Sequence, residues 1–428
     1  MAAIGRPPLL RPGWIVYSLF VLYPLFWLMG FAEFVWAISV IPLAVWAMLQ
    51  GRLSRPPTVT LFAIYVLWAG FTVVRLDRLT RVLAFGMRYA TYVAALGLAY
   101  YVYNERRVSR ATFVNWVAML WVWSILGGYL GLLFPHVRLS VTPASLLLPR
   151  ALLADDYVAF MVRPRLAQVQ DIFGLPIPRP SALYAYTNSW GAAVGLLTPF
   201  FAAATLFAAD QRRRRFGTFG LLLALPPALL SVNRGLWLSL GLVLTVVAVR
   251  SFLAGRRGPL KVAAAAIVVI GGLIALTPIG ETVGGRLEES SASTRAGIYR
   301  EAWAGAKESP ILGWGGPRPS TNPFPPHVGS HGHVWFAMFS HGLVGLALYL
   351  AWMVWAIYAV STRRDPVSIM LGSVVFVGAL QMFFYNMFSA PLPIILIAIA
   401  LTFRDDDDHE GARPRQTGSA SLQVSTSR

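Results

Sequence analysis

Runs of about 17 or more residues without a charge recur along the whole chain of 428 residues, and each is long enough to cross a hydrocarbon layer roughly 30 Å thick as a helix. A backbone in lipid must satisfy its own hydrogen bonds, so such runs fold as helices or not at all. Only 13% of residues are charged and 57% are hydrophobic, which excludes a soluble enzyme, a disordered chain and a secreted disulfide module. The predicted fold is therefore all-α: a polytopic integral membrane protein of about 12 transmembrane helices. The spans fall at about 14–30, 34–49, 58–74, 82–103, 112–134, 186–209, 216–232, 235–253, 262–280, 333–360, 367–386 and 387–403. The uncharged stretch 367–403 is too long for one crossing, and Asn386, Ser389, Pro391 and Pro393 suit a turn in its middle.

Basic residues set the orientation. With the N-terminus inside, the inner segments carry 21 of the 36 Arg and Lys residues, and Arg212–Arg215 are four in a row. Both termini are expected in the cytoplasm of a cell inner (plasma) membrane, with the first span retained as an anchor. Residues 1–403 read as a single transmembrane domain. The acidic and then Ser/Thr/Gly-rich stretch 404–428 reads as a disordered cytoplasmic tail. The net charge of +18 fits anionic headgroups, with membrane lipid as the partner and not nucleic acid. Two external loops, about 135–185 and 281–332, have room for a water-facing site.

With no cysteine in the chain, chemistry falls to His, Arg and carboxylates. Four of six histidines follow the second loop: His327, His331, His333 and His341. They suggest a metal site, yet His331 and His333 are two apart and face different sides of a helix. No Asp or Glu lies between Glu308 and Asp365 to complete a ligand set. One proton-handling histidine and no metal is the expectation. Asp155-Asp156 offers an acidic pair, but adjacent carboxylates point apart in regular structure. Arg88 lies about 10 Å into its span by helix rise, where an arginine either serves a function or snorkels outward.

His331-Gly332, nine residues, Gly342, two residues and Gly345 form a spacing that resembles the O-antigen ligase and O-antigen polymerase superfamily, in which a His precedes a Gly-x-x-Gly helix. Gly332 stands where that family more often has an amide or hydroxyl residue. Upstream, STRAGIYREAWAGAKESPILGWG (293–315) is similar to the family's Arg, aromatic and Pro-x-x-Gly-x-Gly approach. SVNRGLWLSLGL (231–242) resembles its Ser-x-x-Arg-Gly turn, and RPSALYAYTNSW (179–190) more loosely resembles the entry to the span after the first loop.

The resemblance implies a metal-independent glycosyltransferase, without cofactors, acting on the external or periplasmic face. It would take glycan from a polyprenyl-diphosphate-linked oligosaccharide donor, such as undecaprenyl diphosphate, to a glycan acceptor. It implies His331 as the catalytic residue and Arg234 and Arg295 as the groups that hold the donor diphosphate, with Arg88 and Arg300 as further possibilities. Guanidinium suits that task because its fork matches phosphate oxygens. A solvated arginine paired with Glu288, Glu289 or Glu301 is the plainer alternative for Arg295 and Arg300. Polymerisation of lipid-linked repeat units is slightly favoured over ligase-type transfer to a different lipid or protein. A lipid-linked sugar transporter or flippase is the rival from another class, although no internal repeat supports it.

Overall fold

The computed structural model describes residues 11–154, 156–172, 175–265, 291–320 and 327–404. The main helices are labelled α1 (Val59–Phe71), α2 (Leu79–Asn104), α3 (Arg110–Leu133), α4 (Thr187–Leu206), α5 (Arg234–Leu253), α6 (Ser291–Glu308), α7 (His333–Ser361), α8 (Pro366–Gln381) and α9 (Pro391–Thr402). Five of them, α2, α3, α4, α5 and α7, are long and apolar enough to cross a membrane. Shorter apolar helices cover 35–49, 59–75, α8 and α9.

Several expected crossings are broken. The 14–30 run forms Trp14–Val21 and Tyr23–Leu28, with Pro24 opening the second piece. The 216–232 run lies in Gln211–Leu223 and Leu225–Leu230, and Pro226-Pro227 opens the latter. Proline tolerates the first turn of a helix and not its interior, so each piece restarts at its proline. Most of the expected 262–280 span and the tail beyond Arg404 lie outside the described residues. The all-α expectation is corrected at one point. Ala167–Ile172 and Leu175–Pro180 form an antiparallel hairpin, β1 and β2, in the first long loop. Extended proline-rich strands of this kind carry little helical signal in a sequence.

The centre of the bundle is α9, whose residues are all buried, packed between α2 and α8. It starts at Pro391 because proline at the first turn gives up no helical hydrogen bond. Small residues let its neighbours come close: Gly191 of α4 lies against Asn233, and Gly195 against Ser239 and Gln381. At one end of the bundle Arg404 donates to the carbonyls of Val102, Glu105 and Val108, where α2 runs out of its own partners. At the other end, the connection between α8 and α9 (382–390) gathers the segments singled out by sequence.

Candidate active site

The start of α7 rests on that connection. The His333 N–H donates to the Tyr385 carbonyl and the Val334 N–H to the Met382 carbonyl, each at 3.0 Å. Two of the four N–H groups that a helix start leaves unpaired are thus answered by backbone. Gly332, just before, has φ 74°, and a Cβ there would stand 2.5 Å from the Phe383 carbonyl oxygen. A residue with a side chain at this position would not fit against Phe383.

His331 is half-buried, its Nδ1 3.1 Å from the Ser330 hydroxyl. Ser330 has one proton and donates it to the His327 carbonyl at 2.6 Å. It must therefore accept from His331, which puts the ring proton on Nδ1 and the lone pair on Nε2. His333 and His341 are different in kind: both are buried within α7. His333 Nε2 lies 3.3 Å from the Tyr92 hydroxyl, which is 2.8 Å from that of Tyr65. His341 Nδ1 lies 3.0 Å from Thr72 Oγ1, whose own proton goes to the Ala69 carbonyl. Among the described residues no three His, Asp or Glu side chains gather as metal ligands. Asp155 lies outside the described residues, and Asp156 opens a short helix, Asp156–Val162.

Arg234 is the first residue of α5 and half-buried. Asn233 caps that helix through Oδ1 to the Leu236 N–H at 3.2 Å, and the same oxygen accepts the Tyr385 hydroxyl. Asn233 Nδ2 donates to the Thr187 carbonyl at 3.2 Å, and buried Arg179 donates to the Ser231 carbonyl at 2.8 Å. The 179–190 and 231–242 stretches therefore touch each other, and the second is joined to α7 through Tyr385.

Arg295 belongs to α6, one turn before Tyr299. The Tyr299 ring stacks on Trp335 of α7 at 4.3 Å and 11°, and its hydroxyl reaches the Phe383 carbonyl at 3.5 Å. Arg300, on the same helix, is exposed and turns back to the Ala296 carbonyl at 3.3 Å. Glu301 accepts the Ser320 hydroxyl at 2.7 Å. Arg88 of α2 is half-buried over the Phe336 ring at 5.9 Å, one residue past Trp335.

The glycines of the motif have a structural reason. Gly342 interrupts α7 at φ 72°, ψ −177°, and the 310–315 segment fills the break. Leu343 N–H donates to the Pro310 carbonyl at 2.7 Å, while Trp314 and Gly315 donate to Phe339 and Ser340 at 2.9 and 2.8 Å. A Cβ at 342 would collide with the Ile311 carbonyl. The Pro-x-x-Gly-x-Gly stretch and the histidine helix are thus one interlocked unit.

Residues 219–350 match the family model described as O-antigen ligase. Over that stretch the chain is similar to the O-antigen ligase superfamily. No curated protein matches it. The matched stretch holds Arg234, Arg295 and His331. It leaves out Arg88 and the 382–390 connection on which those segments converge. Tyr385, Phe383, Tyr299 and Trp335 were missed as site residues by composition and spacing alone. Only Tyr299, as the aromatic in the 293–315 approach, left a trace there.

Proposed function

We propose that this protein is a membrane-embedded glycosyltransferase that moves glycan from a polyprenyl-diphosphate-linked donor to an acceptor hydroxyl at the external face. The observation that carries this reading is the convergence on one connection, 382–386, of the His331 helix start, the cap of the Arg234 helix and the Tyr299 turn of the Arg295 helix. These segments are far apart in sequence, and a common support for them has a purpose if they act on one substrate.

In this reading the acceptor oxygen attacks the anomeric carbon of the donor sugar. The bond from that carbon to the diphosphate oxygen breaks, and the lipid diphosphate leaves with the electron pair. His331 Nε2 takes the acceptor proton and later releases it to water. Arg234 and Arg295 hold the diphosphate as its charge grows. The chemistry asks for no metal and no cofactor, since fixed guanidiniums do the charge work. In the same reading residues 1–403 form one transmembrane domain with twelve crossings, the termini and the 404–428 tail are cytoplasmic, and the site faces the external or periplasmic side of the inner membrane. Polymerisation and ligase-type transfer share this donor half.

The test is glycan transfer by purified full-length protein given lipid-linked oligosaccharide, with donor binding measured beside it. His331→Ala is expected to bind donor and transfer at least about a hundredfold more slowly, the usual reach of a positioned base. A His331→Ala protein with undiminished transfer overturns the mechanism.

A further inference from the structure

A second cluster of arginines lies outside the machinery just described. It is built by the connection from α1 to α2 together with the 313–318 segment. Arg75 and Arg318 both sit over the Trp314 ring, at 5.1 and 3.8 Å from its centre. Arg81, at the start of α2, donates to the carbonyls of Trp314 and Gly316 at 2.7 and 3.2 Å. Arg75 donates to the Gly313 carbonyl at 3.3 Å.

Asp77 pairs two of the three guanidiniums, 2.6 Å from Arg81 and 3.5 Å from Arg318. Glu308 adds a weaker attraction on Arg318. Burial, then repulsion from Arg81 and Arg75, pushes the Arg318 guanidinium below its ordinary range. Like charges held this close without matching anions cost free energy, and a bound anion removes that cost. Bracing of the 313–318 segment accounts for the carbonyl contacts of Arg75 and Arg81, and not for the Arg318 guanidinium stacked on Trp314 beside them.

The cluster also leads inward. Arg81, Phe85, Arg88 and Tyr92 follow one another at helical spacing on one face of α2. Arg88, about 10 Å farther along by helix rise, lies over Phe336, and Tyr92 contacts His333. An anion held at Arg81 is therefore on a cationic track toward the start of α7. It arrives by a different flank from Arg234, which approaches through α5 and Tyr385.

We infer that Arg75, Arg81 and Arg318 form a second anion site, which takes a phosphate-bearing group of the acceptor. This rests on the reading of Arg234 and Arg295 as the donor half. Two cationic sites on two flanks suit a transfer in which both substrates carry phosphate, as when one lipid-linked glycan is joined to another.

The experiment counts inorganic diphosphate bound to full-length protein in nanodiscs of neutral phosphatidylcholine. Two diphosphates per chain are expected, with Arg75→Gln/Arg318→Gln removing one and weakening it at least about tenfold. Arg75→Lys/Arg318→Lys should keep part of it, and an unchanged melting temperature shows that the fold survives. Arg234→Gln/Arg295→Gln should remove the other. A wild-type stoichiometry below two, or two sites surviving in the Arg75/Arg318 variant, overturns the inference. Loss of one site in that variant with no change in the Arg234/Arg295 variant overturns the donor reading and keeps this site. Repeating the count in anionic phosphatidylglycerol discs separates sources. Disappearance of the Arg75/Arg318 site there makes it a lipid headgroup site and overturns the acceptor assignment, while its persistence supports it.

Discussion

The His333 N–H reaches the Tyr385 carbonyl at 3.0 Å, and the Tyr385 hydroxyl reaches Asn233 beside Arg234. One tyrosine thus holds the histidine helix by its backbone and the arginine helix by its side chain. Its neighbour Phe383 does the same for α6, accepting Tyr299 and Trp335 at 3.5 and 3.2 Å. A shift in this connection would move three segments together, so in the proposed mechanism its residues are positioning residues.

The three histidines of the α7 region divide by burial. His331→Ala should cost turnover and little stability, because the ring is half-buried and bonded to Ser330. His333→Ala and His341→Ala should cost about 2–4 kcal/mol of stability, since each empties a closed site and leaves Tyr92 or Thr72 short of a partner. Thermal unfolding beside transfer by the folded fraction separates the two effects. A destabilised His331 variant with normal turnover per folded molecule would exchange these roles.

Gly342→Ala should prevent the 310–315 segment from seating in α7, because the added Cβ meets the Ile311 carbonyl at a positive φ. Poor yield or a large fall in melting temperature is expected, while Gly345→Ala should be milder. Equal stability of Gly342→Ala and wild type would refute the interlock.

The helices were legible in the sequence because lipid permits so few alternatives, and α2, α3, α4, α5 and α7 lie where the uncharged runs are. The breaks were less legible: Pro24 and Pro226-Pro227 stand inside apolar runs that a length argument reads as continuous. The spacing from His331 to Gly342 marked the site, but its support did not show. Phe383 acts through its backbone carbonyl, as Tyr385 does toward His333, and a carbonyl has no residue type to read. Glu33 escaped for another reason. It is one carboxylate between two apolar runs, and only the fold brings it to Ser389 and Ala185.

That carboxylate gives a pH prediction. Glu33 is buried, accepts the Ser389 hydroxyl at 2.5 Å and the Ala185 N–H at 3.1 Å, and burial pushes its pKa up from 4.5. The folded protein holds a proton there that the unfolded chain gives up, so stability is full below about pH 4.5 and falls as pH rises through the elevated value. Glu33→Gln keeps an acceptor and a donor and should flatten the decline in melting temperature. Glu33→Ala, which strands Ser389 and Ala185, should cost about 1–3 kcal/mol. A wild-type melting temperature that rises with pH and is equally steep in Glu33→Gln would remove Glu33 as the cause.

The orientation can be tested directly because the chain has no cysteine. Ser140 and Ser361 are both exposed, one in the first long loop and one at the end of α7. Ser140→Cys is expected to react with a membrane-impermeant maleimide added to intact spheroplasts, and Ser361→Cys only after permeabilisation. The reverse pattern would move the His331 site to the inner face.

The last prediction separates holding the donor from placing the group that holds it. Arg234→Ala removes a guanidinium and should raise the donor Kd and slow transfer; Arg234→Lys should recover only part, because an ammonium cannot bond two phosphate oxygens as a fork does. Tyr385→Phe leaves Arg234 in the chain and removes only the hydroxyl that steadies Asn233. Asn233 still caps Leu236, so the helix should persist at a cost of about 1 kcal/mol. If Tyr385 positions Arg234, the donor Kd should rise in Tyr385→Phe by less than in Arg234→Ala. Adding Tyr385→Phe to Arg234→Ala should then weaken binding no further, since the group it places is gone. Independent, additive losses in the double variant would show that Tyr385 contributes to the fold alone.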